Sequence, residues 1–73
     1  MKRALLVEQS ESGDFRLPWD TNDRLLSDIE AEADDVEKVS DLEGWEPWSE
    51  LYAVDAGSGE PLLYFVRNDI AIL

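Results

Sequence analysis

The chain has 73 residues, no cysteine and no histidine, and its eighteen acidic residues against six basic ones give a formal charge of −12. Those numbers exclude disulfides and thiolate or imidazole metal sites. They also argue against direct binding to nucleic acid or an anionic membrane, which takes a surplus of Lys and Arg to displace counterions.

At 44% apolar, with three Trp, two Tyr and two Phe, the composition is that of a folded chain. Its length predicts one domain over residues 1–73, near the lower limit for a self-sufficient core. The apolar run Ala4 to Val7 reads as a buried strand. Lys2 and Arg3 precede it as in a signal peptide, but four residues fall short of an apolar region of about 7–15. With no stretch near the roughly 18 apolar residues of a membrane span, a cytoplasmic setting is expected. Gln9 to Gly13 has hairpin-loop composition. Phe15, Leu17 and Trp19 then alternate with polar residues and Pro, predicting a second strand that Pro18 confines to an edge or ends.

From Thr21 the period changes. Leu25, Leu26, Ile29, Ala33, Val36 and Val39 recur at spacings of three and four, which predicts an amphipathic helix from Asn22 to Glu43. Asp20 or Thr21 is placed to cap it and Gly44 to end it. The low helix propensity of Asp34-Asp35 admits a break there into two shorter helices. Trp45-Glu46-Pro47-Trp48 is a connection, because Pro47 interrupts regular helix. Leu51–Val54 and Leu62–Val66 read as strands around a glycine-containing loop, and Ile70 to Leu73 as a fifth strand or an apolar edge. The expected fold is a small α+β domain of the order β-β-α-β-β, with an antiparallel sheet of four to five strands packed on one acidic helix.

Catalysis is not expected. Without His or Cys no common general base or nucleophile pair is available, and Gly57-Ser58-Gly59 lacks the third glycine and the Lys of a phosphate loop. A carboxylate pair would still need a cleft, for which about 70 residues leave little volume. Asp20 and Asn22 begin like a calcium-binding EF-hand loop, but Arg24 and Leu25 occupy a ligand position and the turn glycine. No cofactor and no metal are expected.

The charge is the informative feature. Residues 20–50 hold twelve acidic residues against Arg24 and Lys38, a net −10. The predicted helix would carry nine carboxylates over roughly 33 Å, one per about 3.7 Å. One DNA strand presents a phosphate about every 3.4 Å. Almost no Lys or Arg lies four residues from these acids to offset their repulsion. By composition alone, short, cysteine-free, strongly acidic chains resemble the decoys that viruses and mobile elements direct against nucleic-acid-handling enzymes. Restriction enzymes, CRISPR effectors and DNA glycosylases are the targets of such decoys.

The expected function is thus a non-enzymatic, nucleic-acid-mimicking inhibitor of the anti-CRISPR or anti-restriction type, occluding a basic groove. Asp28, Glu30, Asp34, Asp35, Glu37 and Asp41 would bind the partner, with Trp45 and Trp48 as aromatic anchors or as closure of a small core. Two alternatives stand beside it. One is an acidic housekeeping protein of a high-salt cytoplasm. The other is an acidic antitoxin or small subunit that docks, or dimerises, by strand addition through Ile70 to Leu73.

Overall fold

The structure, a computed structural model, describes residues 1–17, 22–57 and 59–69. The expected positions of Trp19, of the Asp20 and Thr21 caps and of the strand Ile70 to Leu73 lie outside these residues. The fold is a small α+β domain with an antiparallel sheet and one short helix. In chain order it runs β1 (Lys2–Gln9), β2 (Phe15–Arg16), β3 (Arg24–Leu25), α1 (Leu26–Glu32), β4 (Asp35–Asp41), β5 (Glu50–Asp55) and β6 (Leu62–Asn68). The sheet order is β2-β1-β6-β5-β4, and β3 also pairs with β1. The loop between β1 and β2 closes through Gly13, at φ 94°, whose N–H donates to the Ser10 carbonyl at 2.9 Å.

Two-residue alternation sorts β1, β5 and β6 between two apolar layers. Ala4, Tyr64, Val66 and Val54 face α1, whose Leu26 and Ile29 close that layer, with Leu6, Tyr52, Val36 and Ala33 at its margin. Val7, Leu51 and Phe65 face the other way, where Phe15, Leu42, Trp45, Trp48 and Leu63 pack against them. A sheet covered on both faces is how so short a chain withdraws Phe65 and Val66 fully from solvent.

The structure departs from the expected helix over 22–43. Helix α1 has seven residues, about 10 Å by its rise, and ends where Ala33 donates to the Ile29 carbonyl at 2.9 Å. Its N-cap is Leu25, without a side-chain capping bond. The break admitted at Asp34-Asp35 occurs, but it opens into a strand and not a second helix. Continued as helix, Glu30 and Asp34, and Glu37 and Asp41, would join Asp28 and Glu32 of α1 as like-charge pairs four apart, each costing about 0.2–0.5 kcal/mol. As a strand, residues 35–41 pair with β5 and lay Val36 opposite Val54 in the helix-side layer. Gly44, at φ 84°, therefore turns the β4–β5 connection and does not end a helix.

Candidate partner-binding surface

The acidic segment is a composite of α1, the turn at Ala33-Asp34 and the edge strand β4. Asp28 and Glu30 are exposed on α1, which turns Leu26 and Ile29 inward. Asp34 is exposed in the turn, its N–H donating to the Asp55 carbonyl at 2.8 Å. Asp35 and Glu37 are exposed on β4. The pleat sets them on the sheet face opposite Val36, and so opposite α1. The carboxylates consequently do not form one row along a rod. They flank the β4 edge of the sheet from both sides.

The register brings in a residue that sequence reasoning overlooks. Asp35 lies directly across from Asp55 on β5, two carboxylates at adjacent positions of neighbouring strands. The Asp55 carboxylate accepts the Gly57 N–H at 2.9 Å, which anchors it. A Cβ at Gly57, where φ is 84°, would approach Asp34 Oδ2 to 3.1 Å, so Asp34, Asp35 and Asp55 converge at one end of the sheet. Nothing in the linear spacing of 35 and 55 announces this, because only strand pairing makes them neighbours. Among the described residues, no group of three or more carboxylates is disposed to hold a metal ion.

The cations are all engaged elsewhere. Arg16 pairs with Glu8 at 2.8 Å and Arg24 with Glu32 at 2.9 Å. Arg3 and Arg67, opposite one another on β1 and β6, both reach Asp23 Oδ2. The hydrogen bond from Arg3, with the Arg67 charge behind it, holds the Asp23 carboxyl below its ordinary value. Arg67 also lies 2.9 Å from Asp69, and its guanidinium stacks on the Trp48 ring at 4.7 Å. Lys2 and Lys38 converge on Glu50, at 3.2 and 3.1 Å, and Lys38 meets Asp41 at 2.8 Å.

Those contacts set the charge states of this second cluster. Burial is the largest influence on Glu50 and alone would raise its carboxyl, but the hydrogen bonds from Lys38 and Lys2 outweigh it and the net shift is downward. Hydrogen bonds to the Tyr52 hydroxyl and to Glu50 raise Lys2, and those to Asp41 and Glu50 raise Lys38. With all six cations so placed, Asp41 is neutralised locally. Asp28, Glu30, Asp34, Asp35 and Glu37 form no direct ion pair among the described residues, although the charge of Asp28 is felt by Arg24.

Trp45 and Trp48 are half-buried and packed inward. The Trp45 ring lies 5.1 Å from Phe65 and 6.4 Å, edge-on, from Phe15. Both belong to the loop that closes the second face of the sheet, which the Ser49 N–H ties to the Val66 carbonyl at 3.0 Å. One surface depression, of about 560 Å³, opens along Glu8 to Arg16 at the β1–β2 hairpin, away from β4. Another, of about 170 Å³, lies beside α1 between Ile29, Ala33, Val54 and Leu62. Among the described residues, no helix is long and apolar enough to cross a membrane.

Comparison with known protein families, curated proteins and solved structures gave no match.

Proposed function

We propose that the protein is a small non-enzymatic binding protein whose uncompensated carboxylates along α1 and β4 occupy a basic groove of a nucleic-acid-handling enzyme. The observation that carries this reading is the partition of charge. Every Lys and Arg is held in an ion pair, while Asp28, Glu30, Asp34, Asp35 and Glu37 stand exposed without one. Stability alone favours spreading cations among such a run, as alternating charge along a helix or strand does. Asp35 opposite Asp55 is the reverse of that arrangement. A basic groove supplies the missing cations, and binding there releases the counterions that nucleic acid would release, with a matching dependence on salt. The decoy acts stoichiometrically by occlusion and needs no bond-making step. Anti-restriction and anti-CRISPR inhibition are the settings in which such occlusion serves a mobile element.

The experiment is capture from host lysate at low salt on the tagged protein, with elution by a salt gradient. The expected result is a nucleic-acid-binding protein that DNA or RNA displaces and that the double substitution Asp35→Lys, Glu37→Lys fails to retain. Retention by that variant at wild-type salt would overturn the reading.

A second reading is favoured by a separate observation. Exposed acids without an ion pair among the described residues also occupy the loops, Glu11 and Asp14 between β1 and β2, remote from β4, and Glu43 and Glu46 in the β4–β5 connection. Such dispersion suits an acidic housekeeping protein of a high-salt cytoplasm, whose charges are screened by the medium. It predicts a chain unfolded in 10 mM salt and folded only near about molar salt, where the Debye length falls to about 3 Å.

A further inference from the structure

Strand β4 ends the sheet. Among the described residues it pairs only with β5, so alternate backbone N–H and C=O groups along its outer side have no ladder partner. The run Asp35 to Lys38 is regular, in unbroken register with Tyr52 to Asp55, and the register shifts only between Lys38 and Ser40, leaving Val39 bulged and exposed. An open edge of this kind is a template for another strand, and its side chains decide which strand.

Two copies of β4 are poor partners for each other. Paired antiparallel about Lys38, they would oppose Asp35 to Asp41 and Lys38 to Lys38. A strand of opposite charge meets no such penalty.

Resting on the function proposed above, we infer that β4 accepts an extended basic segment of the partner as an added strand, with basic, apolar and basic residues opposite Asp35, Val36 and Glu37. The pleat specifies that order. Asp35 and Glu37 share one face about 7 Å apart, with Asp55 behind them and no cation among them. Val36 lies between them on the other face, at the margin of the layer that contains Val54, Ile29 and Ala33. A neighbouring strand aligns its own side chains to the same two faces, so its cations meet the carboxylates while its apolar residue extends the helix-side layer. Main-chain hydrogen bonds then supply affinity, and the alternation supplies specificity.

The test uses the full chain and a fluorescein-labelled heptapeptide of alternating arginine and valine, followed by anisotropy at low salt. Its comparators are an isomer with all its arginines in one block, and two N-methylated forms. One form is methylated at the arginine amides and the other at the valine amides, so that each blocks a single edge of the peptide. The alternating peptide should bind more tightly than the block isomer, and methylation of one set of amides should weaken it by about tenfold while the other set has little effect.

Equal, salt-sensitive binding of all four peptides would overturn strand addition and leave the acidic surface standing as a binding site. Absence of binding by any of them would overturn both. A dimer in sedimentation of the chain alone, with its β4 amides protected from hydrogen exchange, would give the edge to a second copy and overturn the proposal.

Discussion

Asp35→Lys should make the domain more stable while removing the partner. Asp35 faces Asp55 across the β4–β5 ladder, and its carboxylate, unlike that of Asp55, is engaged in no turn. Directly opposed residues place their Cβ atoms about 5 Å apart, which puts the two carboxylates about 6 Å from each other. In water that repulsion is ~0.7 kcal/mol. A Debye length of about 30 Å in 10 mM salt leaves most of it, and one of about 3 Å in molar salt leaves a small fraction. Reversing the charge turns repulsion into attraction, so the gain is about 1 kcal/mol in 10 mM salt and close to zero in molar salt, whereas Asp35→Asn should give about half as much. For a domain of this size about 1 kcal/mol corresponds to a rise in Tm of about 5 °C. Thermal unfolding followed by circular dichroism at the two salt concentrations reads it directly. A fall in Tm for Asp35→Lys, or a rise undiminished in molar salt, would refute the reasoning that β4 holds its carboxylates at a cost.

Phe65 is fully buried between Phe15, at 5.0 Å, and Trp45. Phe65→Ala should cost about 3–5 kcal/mol, which is comparable to all that a core of this size supplies. The variant should therefore lack near-ultraviolet circular dichroism at 25 °C. Trp45→Ala should lose about 2 kcal/mol in urea unfolding, because the ring seals the second face of the sheet; unchanged stability would make the side chain a partner anchor alone.

Glu50→Gln should expose a pH-dependent difference in stability. The folded carboxyl lies below its ordinary value of 4.5, so the unfolded chain takes up the proton first as pH falls. The wild-type advantage is therefore present in full above the ordinary value and disappears as pH drops through the folded one. Because Lys2 and Lys38 are raised above 10.5, their part is present below that value and vanishes as pH climbs through the folded one. Urea midpoints of both chains between pH 3 and 8 test the acid limb. A constant gap below pH 4 would contradict it.

What was legible in the linear chain follows from short-range physics. Apolar runs and alternation mark the cores of β1, β5 and β6, and Gly13 marks the first turn, because each depends on one or two residues of context. The concentration of acid in residues 20–50 is likewise plain from composition, and with it the expectation of a charged partner or a salty solvent. The conformation of that segment was not legible. Leu26, Ile29, Ala33 and Val36 satisfy a helical period, yet Val36 reaches the same apolar layer from a strand that Ile29 reaches from a helix.

Pairing with β5 settles residues 35–41 as an edge strand, and a helical period carries no information about a partner twenty residues away. The same pairing opposes Asp35 to Asp55 and divides the carboxylates between two faces. It also leaves Asp41 neutralised by Lys38 and turns Trp45 inward onto Phe65. The chain's charge and apolar content are properties of its residues one at a time. Which charges meet, and which edge stays open to a partner, are properties of strand register, which exists only once the sheet has formed.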